Sequence, residues 1–425
     1  MKLKLTQASR AEDKYPELNP LWIAVFVDIL GFSVIIPLLP FLTEAWDVSA
    51  FQLGFLLSVN SIFGFVFGPI WGKLSDVVGR KPILLVCQGG TLAAFLLVAF
   101  SDSYKLLILA RIVDGVFGGN FPVAKAIIGD VIPPHRRSVF MSNIGVAHIL
   151  SSVIGPGIGG LMADTGLFGL GLMASALTVL TITLTYLKVE ESNPVVLKRR
   201  ELEKNTKKDP VSRKKTVKSA LKEIFQRKKS GILKNNPIAL FLLVQWGFHT
   251  LSFFIYISTI TLFANVKLSL TAQRMGLLLF ISGIIRLIVR FVIFVPLIEH
   301  LGERKTSILG LTIFAVVFFF MGSVRSPVHL AIILVFVSFA AGCTRGVLTG
   351  YLSRAVNKKH QGIAMGYNAS LDSVAQIIGP LLGGAILDTG KLFWYGGSAG
   401  IFASMALFMS FRDVEPQLKE NEERE

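Results

Sequence analysis

The chain has 425 residues, 52% of them hydrophobic and only 16% charged, with a mean hydropathy of +0.62 and a formal net charge of +16. A soluble domain carries roughly 25% charged residues, and so much apolar side chain would leave surface patches that water does not tolerate, so a string of soluble domains is excluded. Few charges with so large a surplus must be unevenly placed.

Residues 1–20 are polar and charged, and they lack an apolar core followed by a small-residue cleavage site, so no secretory signal is expected. Twelve apolar runs follow, at 21–43, 51–71, 83–100, 105–132, 139–162, 167–187, 237–263, 275–298, 306–323, 328–353, 362–387 and 393–411. Each approaches the length of about 20 residues that crosses a bilayer as a helix. None alternates with period two, which leaves helices rather than a barrel. The expected fold is an all-α polytopic membrane protein of twelve transmembrane helices in two six-helix parallel repeats. The expected organisation is a cytoplasmic segment 1–20, a bundle 21–187, a basic linker 188–235, a second bundle 236–411 and a tail 412–425.

If both termini lie on one side, that side holds 33 of the 43 Lys and Arg residues, the other holds 5, and 5 lie within spans. Basic residues favour the cytoplasmic face, so both termini and the linker are expected there. The linker alone carries 16 basic and 6 acidic residues. Val217, Leu221, Ile224 and Phe225 recur in it at helical spacing, which predicts an amphipathic helix on anionic lipid headgroups. No nucleic-acid motif accompanies the basic run, so no nucleic-acid partner is expected. Cys87 and Cys343 lie inside spans, which offers neither a disulfide framework nor a metal site, and no cofactor is expected.

The two halves repeat at an offset of 224 residues. Gly155, Pro156, Gly159 and Gly160 correspond to Gly379, Pro380, Gly383 and Gly384, followed by Asp164-Thr165-Gly166 and Asp388-Thr389-Gly390. Arg80-Lys81 pairs likewise with Arg304-Lys305, Gly118 with Gly342 and Met141 with Met365. Two parallel six-helix repeats mark secondary transporters, which rock their halves about a central site. The small residues of the Gly-Pro segments predict close helix packing, and their prolines predict a bend.

Gly72-Lys73-Leu74-Ser75-Asp76-Val77-Val78-Gly79-Arg80-Lys81 resembles the loop signature between spans two and three of the major facilitator superfamily. Leu30-Gly31 with Pro37 and Pro40, Arg111 with Gly115, and Gly155-Pro156 with Gly159-Gly160 resemble signatures of its twelve-span drug:proton antiporters. Asp28 before Leu30-Gly31 resembles the tetracycline-efflux branch, although that branch carries an acid in its third span and 83–100 has none. The resemblance implies a proton-coupled efflux transporter of small amphiphilic molecules, in a plasma membrane, with small-molecule substrate and protons as partners and a monomer as the working unit. A symporter or uniporter for an organic anion is the alternative, and a non-transporting receptor a further one. No phosphate-binding loop or nucleophile–base set supports an enzyme.

The resemblance also implies that Gly72, Asp76, Gly79 and Arg80 form a cytoplasmic latch, with Asp130 at the same face as a third partner. Charges within spans are costly and should face a cavity or a partner. Asp28, Arg111, Asp114, Lys125, His148, His249, Arg286, Arg290, Arg345 and Asp372 are such groups, and spans 3, 6, 9 and 12 carry none, as expected of lipid-facing helices. Asp28, Asp114 and Lys125 are the proton-coupling candidates. Lys125, fourteen residues beyond Arg111 on an unbroken helix, is expected to pair with Asp28 across the cavity. Arg111 and Asp114, three apart, are expected to pair with each other. Gln245, His249 and Tyr256 share one face of the seventh span. With Arg286, Arg290 and Arg345 against Asp372, the second half is net positive, which favours an anionic substrate.

Overall fold

The computed structural model describes residues 15, 18–133, 136–194, 196–198, 236–357 and 360–414. The expected linker helix around Val217–Phe225 lies outside the described residues. By packing, the described residues within 1–35, 62–155 and 164–228 form one compact unit, and those within 36–61, 156–163 and 229–425 form a second. The packing boundary therefore crosses spans 1, 2 and 5 instead of following the repeat.

In chain order the first span is α1 (Asn19–Ser33), a 3-10 turn (Ile36–Leu38) and α2 (Leu39–Trp46). Then come α3 (Ala50–Val78), α4 (Arg80–Ala99), α5 (Tyr104–Val116), α6 (Asn120–Val131), α7 (Arg137–Leu161) and α8 (Gly166–Lys188). The second half has α9 (Pro237–Leu268), α10 (Ala272–Ile288), a π-helical turn (Val289–Ile293), α11 (Phe294–Met321), α12 (Pro327–Arg354), α13 (Gln361–Asp388) and α14 (Leu392–Ser410). Among the described residues, eleven segments are long and apolar enough to cross a membrane, and one of them, Ala272–Met321 with 50 residues, holds two of the expected runs. Gly302, at φ 80° and ψ 162°, breaks the helix between those two, a conformation that glycine adopts without the cost other residues incur. The twelve runs are thus accounted for.

Three features depart from the sequence expectation. The helix of span 2 continues through Gly72, Ser75 and Asp76, so most of the expected 72–81 turn is helix, and the chain breaks only at Gly79, where φ is 120°. Span 4 breaks between Val116 and Asn120, at Phe117-Gly118-Gly119. A backbone break inside a membrane leaves carbonyls that need donors, and Trp71 supplies one, its Nε1 donating to the Val116 carbonyl at 2.5 Å. Finally, burial does not set the uncharged spans apart: α4 is 56% buried over its most apolar window and α13, which carries Asp372, only 33%.

In the second unit, α3 begins with a capping box: Gln52 N–H donates to Ser49 Oγ at 3.2 Å and Ser49 N–H to Gln52 Oε1 at 2.8 Å. Its first two free N–H groups, of Ala50 and Phe51, donate to the Asp388 carboxylate at 2.8 and 3.0 Å. A carboxylate at a helix N-terminus satisfies orphan donors and opposes the helix dipole. Beside it, the small residues pack backbone on backbone: a Cβ on Gly384 would meet the Ala50 carbonyl, and one on Gly54 the Pro380 carbonyl. The repeat-related pair does the same, since a Cβ on Gly160 would lie 2.9 Å from Gly276 Cα, and one on Gly276 would lie 2.5 Å from the Pro156 carbonyl. Pro156 and Pro380 sit within α7 and α13 without ending either helix.

Adjacent glycines on α4 make a controlled test of this packing. A Cβ on exposed Gly89 meets nothing within 4 Å, whereas one on buried Gly90 strikes the Phe117 ring at the span-4 break. Gly89→Ala should leave stability unchanged or raise it by up to about 1 kcal/mol, and Gly90→Ala should lower it by about 1–3 kcal/mol, read as the midpoint of SDS-titrated unfolding.

Candidate functional site

Two polar clusters lie in the first unit. The first is built on Arg80, the opening residue of α4, which Gly79 turns inward. Its guanidinium joins Asp76 (NH1 to Oδ1, 2.5 Å) and Asp130 (Nε to Oδ2, 2.8 Å), and NH1 donates to Ser75 Oγ at 2.7 Å. The expected Asp76–Arg80–Asp130 set is therefore assembled. Further members are not signalled by the motif. Glu191 Oε1 accepts the Arg80 backbone N–H at 2.8 Å, and Asn193 Nδ2 donates to the Ser75 and Asp76 carbonyls at 3.2 and 2.9 Å. Glu191 stands where a Gly79 side chain would go, which adds sterics to the conformational demand for glycine. Gly72 has open space where its Cβ would be. Only the acidic pair Glu190-Glu191 at the head of a basic linker hints at this in sequence.

The counterpart in the second unit is charge-inverted. Arg354 stands 224 residues after Asp130 and pairs with Glu303. Arg304 turns instead to Asp413 at 3.0 Å and the Phe411 carbonyl at 2.7 Å.

The second cluster of the first unit surrounds Asp28 on α1. Asn120 Nδ2 donates to Asp28 Oδ1 at 3.1 Å and to Thr91 Oγ1 at 3.2 Å, and Thr91 Oγ1 donates to the same Asp28 oxygen at 3.4 Å. Thr91 and Asn120 are each 2% exposed. Both bonds end on Oδ1, so among the described residues Oδ2 has no hydrogen-bond partner. Asp114 lies within electrostatic reach of Asp28 and pairs as expected with Arg111, 3.3 Å from NH1. Arg111 is 2% exposed, faces the Phe32 ring and keeps a buried NH2 without an acceptor.

The expected Asp28–Lys125 pair does not form. Lys125 is exposed, with its ammonium 4.1 Å from the centre of the Phe121 ring. The break at Phe117–Gly119 resets the helical phase between Arg111 and Lys125 and makes Asn120 the first residue of α6, so Asn120 reaches Asp28 instead. Gly118-Gly119 ahead of an Asn is a helix-start signal that could have revealed this. His148 is exposed on α7.

In the second unit, Asp372 on α13 is the hub. It accepts from Arg345 NH2 at 2.6 Å, Trp246 Nε1 at 3.1 Å and Thr250 Oγ1 at 2.7 Å, while the Arg345 guanidinium lies 5.1 Å from the Trp246 ring centre. Trp246 and Thr250 were not signalled, although four-residue spacing puts them on one helix face. Gln245, His249 and Tyr256 do share a face of α9, and all are buried. Gln245 donates to the Ala406 carbonyl at 3.1 Å and to Ser410 Oγ at 2.5 Å, and so ties α9 to α14. His249 lies 3.4 Å from Thr344 Oγ1 and packs on the Trp246 and Phe314 rings. Tyr256 packs on Phe318. Arg290 lies over Phe294, 4.7 Å from the ring centre, and Arg286 makes no hydrogen bond or ion pair to any described residue. Of the packing motif, Gly155 abuts Ser33, Gly379 the Phe254–Ile255 backbone and Gly383 Thr259, while Gly159 is buried.

The sequence profile described as Major Facilitator Superfamily matches residues 21–293 and 247–425. The tetracycline resistance protein, class H, of Pasteurella multocida is 27% identical over 377 residues, spanning 87% of this chain and 88% of that protein. Multidrug resistance protein 2 of Bacillus subtilis is 24% identical over 365 residues, 86% of this chain and 87% of its own. Among solved structures, a D-xylose-proton symporter superposes with a TM-score of 0.70 at 17% identity over 93% of this chain and 97% of that one. The human organic anion transporter MFSD10 gives 0.66 at 20% identity over 92% and 98%. These two share the fold.

The Arg80–Asp130 pair is 9% and 19% exposed, against 36% and 46% for Arg304–Asp413. Double-mutant cycles to alanine, read by SDS-titrated unfolding, should give a coupling of about 2 kcal/mol or more for the first and less than about 1 kcal/mol for the second.

Proposed function

The chain belongs to the Major Facilitator Superfamily, and from that premise we propose that it is a proton-coupled antiporter that exports small amphiphilic molecules by alternating access. It is a multi-pass, all-helical membrane protein of the transporter fold. The observation that carries the finer reading is the Asp28–Thr91–Asn120 triad. A carboxylate within a membrane span is costly, and among the described residues nothing cationic pairs with this one directly. Two neutral donors hold Oδ1 in place whether or not the group is charged, and Oδ2 is left for a proton. Protonation removes the charge, while deprotonation leaves an anion held by hydrogen bonds beside the Arg111–Asp114 pair. A site with two such states can exchange a proton for substrate if the two compete.

The relatives named for tetracycline and multidrug resistance support export of amphiphiles. The Arg80 cluster then acts as the cytoplasmic latch of one end state, since moving α4 relative to α3 and α6 would pull a mostly buried guanidinium from the Asp76 and Asp130 carboxylates. The Gly-Pro seams act as packing surfaces that form and part during the cycle. The host is the plasma membrane, with both termini cytoplasmic, the basic linker against anionic headgroups and a monomer as the working unit.

The test uses the purified chain in proteoliposomes with an imposed pH gradient and rhodamine 6G as probe. Asp28→Asn should reduce gradient-driven dye flux to that of empty liposomes, Asn120→Leu should reduce it in part, and Lys125→Ala should retain most of it. Gradient-driven flux at wild-type rate in Asp28→Asn contradicts the proposal.

A further inference from the structure

The second unit contains a cation that the proton chemistry leaves unused. Arg286 lies on α10, fourteen residues after the helix begins at Ala272 and before the segment reaches Gly302, which places it near mid-depth of the span. The exposed apolar stripe of this helix is Leu277, Ile281, Ile284 and Ile288. Arg286 is instead in register, three, four and seven residues on, with Gly283, Ser282 and Leu279, which are buried. It therefore points away from the lipid-facing stripe.

Among the described residues of the unit, none neutralises it. Asp372 is committed to Arg345, Trp246 and Thr250. Glu303, beyond the Gly302 break, pairs with Arg354. Arg286 Nε is buried and has no acceptor, and its electrostatic neighbours are the Tyr256 phenol and a second cation, Arg345. Arg290, one turn on, covers the Phe294 ring and is exposed, as a side chain reaching toward an interface would be. Arg286 has neither arrangement. A second, independent feature marks the place: the π-helical turn Val289–Ile293 starts three residues later. Pro296 follows and lacks the N–H an α-helix would need there, and single π turns occur frequently at functional sites.

A guanidinium held within a span, with its Nε unsatisfied and no acid among the described residues paired with it, is a binding group for an anion. Its planar fork matches carboxylate and sulfonate bidentately. Mid-depth placement excludes a phospholipid headgroup as the standing partner. We infer that Arg286 anchors the anionic group of an amphiphilic substrate, a carboxylate or sulfonate carried on an aromatic body, beside the ring of half-buried Phe253, which packs on Tyr256 and Phe314. The inference rests on the transporter reading and names the substrate class that this side of the site takes.

Two dyes with the same xanthene core separate charge from shape: fluorescein is anionic at pH 7.5 and rhodamine 6G cationic. Their binding to the purified full chain in detergent is read by fluorescence anisotropy. Arg286→Gln should weaken fluorescein binding about tenfold, the loss of one charge-assisted pair, and leave rhodamine 6G unchanged. If Arg286→Gln does not fold, Arg286→Lys decides: loss of the fork should weaken fluorescein measurably with rhodamine 6G unchanged. The inference is overturned if wild type does not bind fluorescein, or if a folded variant loses both dyes alike or neither. Rhodamine 6G flux driven by a pH gradient without Arg286-dependent fluorescein binding removes this inference and keeps the export reading. The reverse result keeps the anion anchor and removes proton-driven export.

Discussion

Every charge placed within a bilayer span must find a partner, reach water or be neutralised by a proton. That constraint orders the whole molecule. Most of the +16 surplus is placed outside the spans, and the residues left inside are committed almost one by one. Arg111 goes to Asp114 and Arg345 to Asp372, while Lys125 and Arg290 lie over aromatic rings. Among the described residues, Asp28 has only neutral donors directly on it and Arg286 Nε has no acceptor. In the proposed cycle these two are the groups whose charge state or partner changes, one by taking a proton and the other by taking an anion.

A parallel constraint acts on the backbone. Helices that break inside a membrane must find donors and acceptors for the freed groups. Span 4 does so by lending the Val116 carbonyl to the Trp71 indole, and the same break starts α6 at Asn120, beside Asp28. The Gly-Pro segments solve a related problem: small residues let whole backbones touch, so that α7 meets α10, and α13 meets α3, without intervening side chains. Asp388 then closes the free N–H groups that α3 presents at that contact.

The fold was legible in the sequence because a twenty-residue apolar run has few alternatives, and the run edges agree with the helix ends to within a few residues for most spans. The Arg80 cluster was legible too, since Asp76 lies one helical turn away and Asp130 closes a span on the same face. What was lost depended on tertiary contact or helical phase. Lys125 was assigned to the face of Arg111 on the premise of an unbroken helix, and three residues at Phe117–Gly119 cancelled that premise. Gln245 stands out in the sequence as a polar residue on a span, but the acceptors that α14 supplies to it carry no local signal. Thr91, Glu191 and Asn193 belong to no motif, and their roles arise only where separate helices meet.

The central claim is that Asp28 holds a proton that substrate displaces. It is tested most directly by adding rhodamine 6G to the purified chain in weakly buffered detergent solution and following the pH. The account predicts proton release by the wild-type chain and none by Asp28→Asn at matched dye binding. Equal release by both, or dye binding by the wild type with no release, would contradict it.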